Sequence, residues 1–137
     1  MTTHYNKFNR IKDIKELANK YRKECPVSVR SINEWLTNKI YESSAPRYYI
    51  SFEEARRNVS KILKNKPINR SNKYIAEMYK DLAEKVKKYN IEHNRDTIDF
   101  KCLFNIIDNQ AKSFYLSKHT ILNIISSSNY GKRYVIN

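Results

Sequence analysis

Glycine is almost missing from this 137-residue chain, where Gly131 is the single example, and proline is confined to Pro26, Pro46 and Pro67. A β-sandwich or barrel needs many tight turns at positive φ, and a phosphate-cradling loop needs several glycines close together, so neither can be built here in quantity. Cysteine is equally sparse. Cys25 and Cys102 lack the paired spacing of a zinc knuckle or redox motif, and they read as small hydrophobes of a reducing compartment, unbridged. His4, His93 and His119 are scattered along the chain. No metal ligand set or nucleophile–base pair follows from such spacing, so no cofactor and no catalysis are expected. Glu92-His93, Asp96 and Asp99 fall in a polar stretch, where solvated charge is their simplest role. There is no apolar run near the roughly 18 residues of a membrane span, and Met1-Thr2-Thr3-His4-Tyr5-Asn6-Lys7 is not a signal-type leader. A cytoplasmic protein with no membrane partner is the expectation.

Acidic residues are also in short supply. Lys and Arg number 27 against 14 Asp and Glu, a formal net charge of +13 and a pI near 9.7. A field of that size attracts phosphate backbones, acidic proteins and anionic surfaces alike. Nucleic acid is the commonest such partner for a small basic protein. A plain solubility charge, inflated by a Lys-, Asn- and Ile-rich composition, is the other reading.

What is abundant is helical periodicity, which predicts an all-α fold of five or six helices in one domain over residues 1–137. The first helix runs from about Tyr5 to Lys23 with Phe8, Ile11, Ile14, Leu17, Ala18 and Tyr21 on one face. Ser31 caps a second that carries Ile32, Trp35, Leu36 and Ile40. Ser51 caps a third that carries Ala55, Val59, Ile62 and Leu63, with Glu54 completing a capping box. Ser71 is placed to cap a long fourth helix with Ile75, Met78, Tyr79, Leu82, Val86 and Tyr89. A fifth follows Thr97, carrying Ile98, Leu103, Phe104, Ile106 and Ile107, and a sixth follows Ser117, carrying Ile121, Leu122, Ile124 and Ile125. Residues 129–137 read as a basic tail.

Within this pattern lies a repeat. Ser44-Ala45-Pro46-Arg47-Tyr48-Tyr49-Ile50-Ser51 returns as Gln110-Ala111-Lys112-Ser113-Phe114-Tyr115-Leu116-Ser117 at an offset of 66 residues (45 to 111), each copy between two short helices. The pairs Ile40/Ile106, Glu42/Asp108, Ala55/Ile121 and Val59/Ile125 keep the same offset. Two helix–turn–helix-like units, about 31–66 and 97–128, are therefore expected, joined by the long fourth helix. The aromatic turns could stack unpaired bases, but residues before a helix cap more often act as staples against the helix they introduce.

Two helices could meet DNA. On the third, Arg56, Arg57, Lys61 and Lys64 lie off the apolar stripe as a phosphate-facing ridge, with Arg47 in the turn before it. Glu53 and Glu54 at its start oppose entry by the N-terminus. On the sixth, Ser117, Lys118, His119, Thr120 and Asn123 are short polar or cationic groups suited to base edges, and Lys132 and Arg133 in the tail could add phosphate contacts.

Leu116-Ser117-Lys118-His119-Thr120-Ile121-Leu122 resembles the start of recognition helices in helix–turn–helix repressors, although the linker Gln110 to Leu116 is longer than the usual turn and lacks its glycine. The string Ala45-Pro46-Arg47-Tyr48-Tyr49-Ile50-Ser51, with its weaker copy Phe114-Tyr115-Leu116-Ser117, resembles small basic helical proteins of Bacteroidetes phages and mobile elements, mostly without assigned activity. That resemblance implies a phage context, in the host cytoplasm or the virion. The expected function is non-catalytic binding of double-stranded DNA, as in a phage-encoded regulator. The alternative is a phage structural or assembly protein docking on acidic protein surfaces or packaged genome.

Overall fold

The computed structural model describes residues 3–68 and 72–127, with side chains from Asn6 onward. Among them are six α-helices and no strand, in agreement with the expected all-α class. They are α1 (Thr3–Arg22), α2 (Ile32–Tyr41), α3 (Phe52–Leu63), α4 (Lys73–Glu92), α5 (Leu103–Ile107) and α6 (Lys118–Ser126). The caps at Ser31, Ser51 and Ser117 form as expected, each hydroxyl oxygen accepting from the backbone N–H three residues on. Glu54 does not complete a capping box. Its Oε2 instead accepts from the hydroxyl of the fully buried Tyr79, at 2.6 Å.

Two helix starts move. Asn72 rather than Ser71 caps α4, its Oδ1 accepting from Tyr74 N and Ile75 N, while Ser71 lies outside the described residues. Helix α5 begins at Leu103 rather than after Thr97. The reason is the buried side chain of Asn90, whose Oδ1 accepts from Asp99 N–H at 2.8 Å and whose amide donates to Asp99 O and Val86 O. Those bonds hold residue 99 outside any helix, and Asp99 Oδ1 then accepts from Lys101 N–H in the turn that leads into α5. Ile98 is left exposed.

One hydrophobic core takes residues from all six helices, with Ile14, Leu36, Ile40, Val59, Leu82, Val86 and Leu103 fully enclosed. Each such side chain contributes about 1.5–3 kcal/mol relative to an exposed one. The packing around this core has a pseudo-twofold order. Helix α3 packs on α4 while α6 packs on α1, α2 packs on α6 while α3 packs on α5, and α1–α2 repeats as α4–α5. Helix α4, which follows α3 in the chain, is the counterpart of α1 and opens the second copy. The repeat consequently reaches further upstream than the turns: Lys12-Asp13, Glu16 and Lys20-Tyr21 recur as Lys80-Asp81, Glu84 and Lys88-Tyr89, now offset by 68 residues (13 to 81).

The helices flanking a turn do not touch each other. Neither α2 and α3 nor α5 and α6 are in contact, and each packs across the pseudo-twofold on the other copy. This exchange distinguishes the units from a self-packed helix–turn–helix. At the axis itself the equivalent residues Ala45 and Ala111 form an antiparallel bridge with both N–H···O distances at 2.9 Å. Tyr48 stacks on Tyr115 and Tyr49 on Phe114, both pairs with centroids 6.0 Å apart. Such reciprocal pairing, residue i to j and j to i, is the signature of an isologous contact within one chain.

Each turn is also tied to the long helix that precedes it in its own copy. Tyr49 donates its hydroxyl proton to Asp13 Oδ2 at 2.7 Å, and Tyr115 to Asp81 Oδ2 at 2.6 Å. A cation completes each carboxylate: Arg47 Nε lies 3.3 Å from Asp13, and Lys112 Nζ lies 3.4 Å from Asp81 and 3.3 Å from Glu77. Burial first, and then the adjacent carboxylate, raise both phenols well above the ordinary tyrosine range. The turns are therefore interior staples, and their rings are not open to a base.

Candidate nucleic-acid interface

The geometry separates the candidate residues into those presented to solvent and those already engaged. On α3, Arg56, Arg57 and Lys64 are exposed and Lys61 is half-buried, while Ala55 and Val59 face the core. Arg56 shares its charge with Glu53, one turn earlier, at 3.5 Å. Exposed pairs of this kind contribute at most about 1 kcal/mol, so a phosphate can displace Glu53 at little cost. Arg47 sits in the preceding turn, 44% exposed, with its Nε on Asp13.

On α6 the first turn is partly occupied. Ser117 Oγ accepts from Thr120 N and lies 3.0 Å from Thr120 Oγ1, so the two hydroxyls serve the helix cap. Lys118, His119 and Asn123 are exposed. Lys118 Nζ lies 5.1 Å above the Tyr41 ring, a cation–π contact that holds the ammonium over α2. Asn123 Nδ2 and His119 Nε2 are 3.2 Å apart on successive turns. When the amide donates, Nε2 is the acceptor and the imidazole is neutral with its proton on Nδ1.

Sequence order hid one neighbour of this helix. No acidic residue follows Asp108 in the chain, yet Glu34 of α2 lines the same shallow depression as Lys118, His119 and Leu122. Helices α3 and α6 are not in contact and occupy equivalent places on either side of the pseudo-twofold. Lys132 and Arg133 lie outside the described residues.

Several cations that periodicity alone did not single out are held against aromatic rings: Lys39 over Trp35 at 5.4 Å, Lys73 over Tyr74 at 5.1 Å and Lys85 over Tyr48 at 4.9 Å. Their signal in the sequence is a cation within four residues of an aromatic for the first two. Lys85 meets Tyr48 only through the fold. Among the described residues no group of three His, Cys, Asp or Glu side chains could hold a metal ion, both cysteines are free, and no helix is long and apolar enough to cross a membrane. Compared with family models, with curated proteins and with solved structures, the chain matches none.

Proposed function

We propose that this chain is a non-catalytic protein that binds double-stranded DNA, with α3 contacting phosphates and α6 supplying what base preference exists. The observation that carries the reading is the exposed cationic face of α3, where Arg57 and Lys64 project from a helix whose opposite face is locked into the core. A rigid row of cations on a +13 chain fits a polyanion of regular charge spacing. Asn123, with an amide that can bridge an adenine edge, is the α6 residue best placed for direct readout. A phage-encoded regulator is the setting that the turn resemblance implies.

Replacing Arg57 and Lys61 together by alanine is expected to lower the slope of log affinity against log salt by about two. Titrating a random duplex across a salt series, with heparin as competitor, measures it, and an unchanged slope retires α3 as the phosphate face. Asn123→Ala is expected to weaken binding to a preferred site by about 1–3 kcal/mol while leaving random duplex affinity nearly intact. Equal loss on both duplexes would make Asn123 a positioning residue. Equal binding of every duplex by the wild type would favour the assembly role on packaged genome.

A further inference from the structure

Phe52, the first residue of α3, and Phe104, on α5, lie ring on ring with centroids 3.9 Å apart and planes within 2°. Phe52 packs against the core, which anchors the pair. Phe104 remains 59% exposed although Phe52 covers one of its faces, so its other face opens to solvent. An aromatic ring fixed on one side and open on the other is a stacking platform.

The surroundings indicate what the platform takes. The same cleft is lined by Asn6 and Asn9 of α1, Arg47 of the first turn, and the carboxylates Glu53 and Asp108. That lining favours an occupant that is flat and carries hydrogen-bonding edges: a nucleobase offers a π-face to Phe104 and donor and acceptor edges to the amides and carboxylates. Glu53 and Asp108 repel phosphate, so the strand's backbone runs outside the cleft, along the exposed Arg56 and Arg57 of α3. The second copy does not repeat the platform. At the position of Phe52 it has Lys118, which covers Tyr41 instead.

We infer that this cleft binds an unpaired nucleobase of a single-stranded segment, stacked on the open face of Phe104. The site shares the α3 cations with the duplex contacts proposed above, and the stack on Phe104 is what separates the two. It also differs from the aromatic turns, whose rings are consumed by the core.

The test titrates the wild type and Phe104→Ala with a short oligo(dT), an abasic strand of equal length and a duplex. The wild type is expected to bind oligo(dT) roughly tenfold or more tightly than the abasic strand. Phe104→Ala should lose that margin and keep its affinity for the abasic strand and the duplex, with its circular dichroism unchanged. In Phe104→Trp, emission above the Trp35 background should be quenched by oligo(dT) and not by the abasic strand. Equal affinity of the wild type for the two strands, or an undiminished margin in Phe104→Ala, overturns the proposal. So does self-association that Phe104→Ala abolishes without any effect of the base. Loss of duplex binding with the strand margin intact supports this site and sinks the duplex reading alone.

Discussion

Raising the pH from about 10 to about 12 is expected to remove a large part of the protein's stability, and the variant Tyr49→Phe/Tyr115→Phe is expected to lose far less over the same interval. Both phenols are raised in the folded state by burial and by a hydrogen bond to a carboxylate, Asp13 for Tyr49 and Asp81 for Tyr115. The protonated phenol is the form the fold favours, so its stabilisation is complete below the unfolded value near 10 and fades as pH rises above it. In that range the unfolded chain binds fewer protons than the folded one, and unfolding becomes steadily easier. Each phenol that stays protonated in the fold while it ionises in the unfolded chain costs about 1.4 kcal/mol per pH unit, so the pair amounts to roughly 2–3 kcal/mol per unit at most. Over two units that approaches the whole margin of a small domain. Lys112, raised by Glu77 and Asp81, acts in the same direction but is too exposed to matter much. Urea unfolding at a series of alkaline pH values measures the slope. The double variant starts less stable at neutral pH and follows a shallower line, because deprotonation of the lysines is common to both proteins. Parallel lines would assign the alkaline loss to lysine rather than to the stapled phenols.

The two staples also explain how much of this molecule could be read from its residues. Serine before a hydrophobic period marked the starts of α2, α3 and α6, because capping depends only on groups three residues apart. The start of α5 was not legible: Asn90 reaches nine residues ahead to Asp99, a contact set by the fold and not by any local pattern. The stripes showed which face of each helix is buried but not against what. Nothing in the period of Ile32, Trp35, Leu36 and Ile40 says that α2 lies on α6 rather than on α3. The upstream half of the repeat is hidden in the sequence because the offset slips from 66 in the turns to 68 in the long helices, so no single register aligns both. Phe104 fitted the α5 stripe and was expected inside. In a helix of only five residues, the buried face is filled by Leu103 and Ile107, and Phe104 is left to pair with Phe52 outside. For the candidate interface, the exposed ridge on α3 was legible from periodicity, whereas Glu34 beside His119 and the capping role of Ser117 and Thr120 required three dimensions.

The second large effect falls on Tyr115. Its φ is +56°, in the left-handed region, where Asn65 and Asn94 also sit but where a bulky residue is disfavoured by about 1 kcal/mol or more. Tyr49, its counterpart, is not so placed. The two copies also differ at Ser113, which stands where the first copy has Arg47 and whose Oγ accepts from Tyr115 N–H at 2.8 Å. Three contacts hold the strained backbone: that bond, the hydroxyl on Asp81 and the stack on Tyr48. Removing the side chain in Tyr115→Ala is expected to cost about 3–5 kcal/mol through the lost ring and the lost hydrogen bond to Asp81 Oδ2, with Lys112 remaining on the carboxylate. Glycine should then be the better truncation. Tyr115→Gly relieves the strain at positive φ and is expected to be more stable than Tyr115→Ala by about 1 kcal/mol, against the usual order. At position 49 the usual order holds, with Tyr49→Gly less stable than Tyr49→Ala by about 0.5–1 kcal/mol. Chemical unfolding of the four variants makes the comparison internally controlled, because the side-chain loss is common to both members of each pair. An alanine variant more stable than glycine at position 115 would mean that the second turn leaves the left-handed conformation once its ring is gone. In that case Tyr115 imposes the turn, and the 113–115 backbone does not hold it alone.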